Sequence, residues 1–134
     1  MTNLEPSRPA TYIVSGGASR LGAAFVRRIS EGGNNVIIGD LDEAAGTEIA
    51  DEFDESVVFC RCDVRRDEDL ADLVLCASDV FGGLDGIVNN AVSYLDNGIT
   101  SSRADWHAAF DVTSFGGAVL LSCLLYTSDA ADEE

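Results

Sequence analysis

The chain has 134 residues, 46% of them hydrophobic, and sets eight arginines and no lysine against 24 acidic residues for a formal charge of −16. That is enough apolar material for one compact domain and too much for a disordered chain. The acidic balance, unrelieved by any basic run, argues against nucleic acid and anionic membranes as partners.

The opening segment MTNLEPSRPA, residues 1–10, lacks the apolar core of a signal peptide or membrane span and reads as a disordered lead-in. The missing lysine fits GC-rich codon usage and also a salt-adapted acidic surface. Tyr12-Ile13-Val14 reads as a strand, and a glycine-rich loop, VSGGASRLG, runs over residues 14–22. Leu21, Phe25 and Ile29 then recur at helical spacing up to Gly32-Gly33. Val36-Ile37-Ile38 is a second strand, ending at Asp40. A helix with Ala45, Ile49 and Phe53 on one face leads to a third strand, Val57–Cys60. The next helix, starting at Asp67, carries Leu70, Leu73, Val74, Ala77, Val80 and Phe81 and stops at Gly82-Gly83. Ile87-Val88 is a fourth strand. A last helix opens on a capping-box-like Ser102–Asp105, with Trp106, Phe110, Thr113, Gly117, Leu120, Leu121 and Leu124 on one face.

Short strands apolar on both sides, alternating with helices, belong in a parallel sheet covered on two faces. The predicted fold is α/β: a Rossmann-like doubly wound sheet over residues 11–122, truncated after the fourth strand and its following helix, with ligands at the carboxyl ends of the strands.

The loop lies between a strand and a helix, where helix N-terminal amides point at whatever fills the turn. Gly16 permits the tight turn and Gly22 a close helix–sheet approach. Asp40 stands near the spacing expected for a carboxylate on ribose hydroxyls. Cysteines at 60, 62, 76 and 123, with His107 as the single histidine, lack the paired spacing of a zinc site. Cys60 and Cys62 read as small core residues of a reduced, cytoplasmic protein without a metal site. His107 reads as a surface or interface residue, and Trp106 as a packing anchor.

Taken together, SGGASRLG, Cys62-Asp63-Val64, Val88-Asn89-Asn90-Ala91 and Asp111-Val112-Thr113 resemble motifs of the short-chain dehydrogenase/reductase family. The resemblance implies an oxidoreductase that moves a hydride between a nicotinamide and a carbonyl or alcohol carbon of a small molecule. It implies cofactor contacts at Ser15, Gly16, Ser19, Arg20, Leu21, Gly22, Asp40, Leu41, Asp63, Val64, Asn90 and Ala91. Asp40 would repel a 2′-phosphate and hydrogen-bond a free hydroxyl, so NAD is expected before NADP. Arg20, at the family's middle glycine, resembles the pteridine-reductase branch and points the other way; its guanidinium is compatible with a phosphate or with solvent. Ser15 keeps the hydroxyl of the usual Thr. Val92 replaces the glycine of Asn-Asn-Ala-Gly and would crowd a close backbone approach. Thr113 stands at the catalytic asparagine, as a hydrogen-bonding substitute or as a buried polar residue on the packing face.

The family's Ser and Tyr-x-x-x-Lys relay has no match: Tyr94 is followed four places on by Gly98 and Tyr126 by Ala130. The reading is therefore of a cofactor-binding N-terminal half, inactive as written, whose full-length form is a homo-oligomer. CLLYTSDAADE, residues 123–133, resembles a translated transposase sequencing adapter, so 123–134 is read as a non-native tail. A non-catalytic dinucleotide-binding regulator and a Rossmann-type methyltransferase remain as alternatives.

Overall fold

The computed structural model describes residues 8–93 and 97–132, so Tyr94, residues 1–7 of the lead-in and 133–134 of the tail lie outside it. Strands β1 (Thr11–Ser15), β2 (Asn35–Asp40), β3 (Val57–Arg61) and β4 (Gly86–Asn89) form one parallel sheet in the order β3-β2-β1-β4. Helices α1 (Arg20–Glu31), α2 (Glu43–Ala50) and α3 (Asp67–Phe81) connect them. After β4 come a 3₁₀ turn (Gly98–Thr100), α4 (Arg103–Phe110), a π-helical turn (Asp111–Phe115) and α5 (Gly116–Asp132). The chain steps outward from β1 to β3, and α3 carries it back to the far side of β1. That reversal is the switch point at which doubly wound sheets open a ligand crevice.

The predicted alternation holds, and side-chain parity along the strands explains the two cores. Ile13 and Ile37 face α3 and α5 and pack with Leu70, Leu73, Val74, Ala77 and Leu120. Val14, Val36 and Ile38 face the other way, onto Ala23, Val26 and Ile49. Each of these buried branched side chains contributes about 2 kcal/mol. The helix punctuation follows the sequence: α3 begins at Asp67 and ends on Gly82 in the left-handed conformation at φ 80°. Ser102 and Asp105 form a true capping box. The start of β1 is fastened at its base, where the Arg8 guanidinium lies 2.9 Å from Asp85 and the Thr11 amide donates to the same carboxylate.

Two helix faces differ from the periodicity, and for one reason. On α1 the buried residues are Gly22, Ala23 and Val26, while Leu21 and Phe25 are exposed. On the last helices the buried positions are Ala109, Gly116 and Leu120; Trp106, Phe110, Thr113 and Leu121 are exposed. Close approach explains both cases. A Cβ on Gly22 would strike the Gly16 carbonyl, and one on Gly116 would come 2.7 Å from the Val64 carbonyl. Only small residues fit such contacts, so the bulky ones turn to the shoulder. The π turn also breaks the single helix expected from Ser102. Trp106 is thus no core anchor; its ring lies tilted against Phe110, centroids 6.3 Å apart. Val80, expected on the core face of α3, is 51% exposed. By length and composition Arg103–Tyr126 would suffice to cross a bilayer, and 11% of its apolar window is buried; α5 packs on α3 and β4.

Candidate functional site

Strand register builds the site. Ser15 pairs with Gly39 and Asn89, and Gly39 with Cys60, so these four sit in one row across the sheet. The residues just beyond that row line an open cavity of about 710 Å³. Gly16 and Ser19 come from the loop, Arg20 and Leu21 from the first turn of α1, Asp40 and Leu41 from the end of β2, Asp63 and Val64 from just beyond β3, and Asn90 and Ala91 from the turn after β4.

The other two expected contacts, Ser15 and Gly22, do not line the cavity. Each holds residues that do. Ser15 is 1% exposed, and its Oγ accepts the Asn90 and Ala91 amides at 3.1 Å each. The Asn90 side chain in turn donates Nδ2–H to the Gly16 carbonyl at 3.0 Å. Gly16 sits at φ 67°, and its missing Cβ leaves room for the Ala91 backbone, which would otherwise be 3.0 Å away. Gly22 lets α1 come down on this clasp.

Above the clasp, α1 begins at Arg20 and its first intrahelical bond runs from the Ala23 amide to the Ser19 carbonyl. The earlier amides of the first turn therefore open on the loop. The first turns of α2, α3 and α4 carry acids; that of α1 carries none and begins with Arg20. In a chain of charge −16, this is the one main helix start among those four that favours an anion. Arg20 is the single described non-glycine residue at positive φ, 32°, a strained setting for a side chain at the cavity rim.

Asp40 is oriented rather than loose. Its Oδ2 accepts the Ala18 amide at 3.0 Å and its Oδ1 the Asp42 amide at 2.9 Å, tying the end of β2 to the glycine loop. Asp63 is fixed differently. Arg65 donates Nε–H to Oδ1 at 2.9 Å and an Nη2–H to Oδ2 at 2.8 Å, with its own amide on Oδ1 at 3.0 Å. This guanidinium is the main reason the Asp63 carboxyl falls from 3.8 to about 2. A carboxyl more acidic when folded than unfolded stabilises the fold above its unfolded value, and that contribution is lost as pH falls through the folded one. The stability gap between the native chain and Arg65→Ala is therefore expected to be constant near neutrality and to close between pH 3.8 and about 2. Urea midpoints measured across that range check this; a gap that persists at the acid end would count against it.

Gly39, Cys62 and Val112 also line the cavity and were not expected there. Gly39 and Cys62 directly precede the two acids, and a strand that ends at the row turns both neighbours toward the crevice. Gly39 is small because α3 passes close: a Cβ there would meet Leu73 at 2.8 Å. Val112 comes from the π turn, which no local pattern announces. Val92 lines the cavity too and is 46% exposed. Thr113 is exposed rather than buried and lies outside the lining; its Oγ1 accepts the Ser93 amide at 3.5 Å. His107 is on the surface, and among the described residues no group of His, Cys, Asp and Glu is placed to hold a metal ion.

A dinucleotide tests well against this geometry. The glycine cradle would be filled by a Cβ at Gly16, the first-turn amides open on it, and a fixed carboxylate stands at the next strand end. The family model described as enoyl-(acyl carrier protein) reductase matches residues 16–126. A 3-hydroxyacyl-CoA dehydrogenase type-2 of Drosophila melanogaster is 42% identical over 82 residues, 61% of this chain and 32% of that protein. An L-fucose dehydrogenase of Bos taurus is 47% identical over 79 residues, covering 59% and 29%. Among solved structures, a glucose/ribitol dehydrogenase of the short-chain dehydrogenase/reductase type from Brucella melitensis superposes with a TM-score of 0.81 at 25% identity, over 87% of this chain and 50% of that one. A 3-ketoacyl-(acyl-carrier-protein) reductase from the same organism, complexed with NADH, shares the fold with a TM-score of 0.79 at 23% identity, over 84% and 48%. The chain thus spans between about a third and a half of the length of these proteins.

Proposed function

The chain belongs to the short-chain dehydrogenase/reductase family, and on that premise we propose that it forms the cofactor-binding part of a nicotinamide-dependent oxidoreductase. The observation that carries the reading is the clasp of Ser15, Gly16, Gly22 and Asn90 beneath the acid-free start of α1, with Asp40 anchored beside it. The loop and α1 amides bind a diphosphate, and Arg20 adds positive charge at the rim. Asp40 is the acceptor for the adenosine ribose hydroxyls, and its charge favours NAD over NADP. Asp63 and Val64 wall the adenine end. When bound, the cofactor supplies hydride transfer to or from a carbonyl or alcohol carbon; the small-molecule alcohol or ketone is a substrate of the whole protein. The same proposal includes a reducing, cytoplasmic setting and a homo-oligomer. The first is in keeping with four cysteines that form no disulfide, the second with the exposed Trp106, Phe110, Phe115 and Leu121.

Titration with NADH, followed by nicotinamide fluorescence, is expected to give saturable binding that NAD displaces and S-adenosylmethionine does not. Carbonyl turnover is expected to be absent, because the sequence holds no lysine for the family's proton relay. No NADH uptake, or displacement by S-adenosylmethionine, would overturn the proposal.

A further inference from the structure

Cys60 on β3 and Cys76 on α3 meet across the sheet–helix boundary, where the Cys60 thiol donates to Cys76 Sγ at 2.7 Å. Both are free and half-buried, whereas Cys62 is 2% exposed and lines the cavity. We propose that Cys60 and Cys76 form a redox-responsive dithiol, closed to an intrachain disulfide by a low-molecular-weight disulfide. The contact is built into the fold: β3 is an outer strand, α3 lies against it, and both thiols pack on the cluster around Ile37 and Leu73.

The two sulfurs have different parts. Burial first, and then its hydrogen bond to Cys76, pushes the Cys60 thiol up to about 12. Cys60 therefore keeps its proton, and Cys76, which accepts the Cys60 S–H, is the sulfur that opens the exchange as a thiolate. That thiolate attacks one sulfur of oxidised glutathione, forms a mixed disulfide and expels a glutathione thiolate, which takes up the proton Cys76 gave to solvent. Cys60 then loses its proton and attacks the Cys76 sulfur, and the second glutathione leaves as a thiol. Two protein thiols are oxidised by two electrons, and one reagent disulfide is reduced to two thiols. The closed loop encloses Cys62, Asp63 and Val64, so oxidation ties α3 to a wall of the cavity. The dithiol itself does not depend on what the cavity binds.

Cleavage after arginine puts each cysteine on its own peptide: Cys60 on 29–61, Cys62 on 62–65, Cys76 on 67–103 and Cys123 on 104–134. The native chain, treated with oxidised glutathione and then alkylated, is expected to lose two of its four thiols and to yield 29–61 linked to 67–103. Cys60→Ser is expected to stop at glutathione on Cys76, and Cys76→Ser to form no link. Retention of all four thiols in the native chain, or a dominant link through Cys62 or Cys123, would overturn the proposal; this peptide map needs no variant to fold.

Discussion

Replacing Gly22 by alanine is expected to abolish NADH binding and to destabilise the chain by about 3 kcal/mol, at the upper end of overpacking costs. The added methyl would meet the Gly16 carbonyl and lie 2.7 Å from Asn90 Nδ2. One of these is main chain inside the clasp and the other is the amide that closes it, so neither yields without undoing the loop. Helix propensity acts in the opposite direction, favouring alanine over glycine by about 1 kcal/mol. Crowding must therefore outweigh it. Gly33→Ala separates the two kinds of glycine. Gly33 sits at φ 86° with nothing within 4 Å of its added Cβ, so alanine there costs conformational strain of about 1 kcal/mol and leaves NADH affinity unchanged. Thermal melts paired with NADH titrations check both. A Gly22→Ala chain that binds like the native one would mean that the α1 contact does not form the cradle.

Asp40→Ala is expected to weaken NADH roughly tenfold or more, the value of a hydrogen bond to a charged group, and to narrow or reverse the preference over NADPH. Two effects combine. The acceptor for the ribose hydroxyls disappears, and with it the negative charge that a 2′-phosphate would meet. The Ala18 amide also loses its partner at 3.0 Å, so part of the loss reaches the loop through the backbone. The ratio of NADPH to NADH affinity isolates the first effect, because loosening the loop weakens both dinucleotides alike. An unchanged ratio would remove Asp40 from cofactor selection.

The strands, their order of appearance and the helix stops were legible because each rests on local chemistry: apolar runs such as Val36–Ile38, the Gly82 stop, the Ser102–Asp105 box. Ten of the twelve expected contacts line the cavity because a glycine loop and strand-end acids mark their places in the sequence. The helix faces were less legible. Periodicity ranks bulky apolar residues as buried, and so it favours Leu21 and Phe25 over Gly22 and Ala23. Where main chain must approach main chain, that ranking inverts. Val112 and the outward turn of Thr113 depend on a π segment, whose extra residue per turn leaves no trace in hydropathy. The supporting role of Ser15 likewise depends on a turn 75 residues away in sequence.

The position of β1 between β2 and β4 sets a schedule for the emerging polypeptide. Strand β1 is flanked early on one side but waits on the other for Gly86–Asn89, and the Gly16 carbonyl waits for Asn90. During synthesis the glycine loop thus lacks its cross-brace until Asn90 has been made. Competence to hold a ligand therefore comes only when β4 docks beside β1.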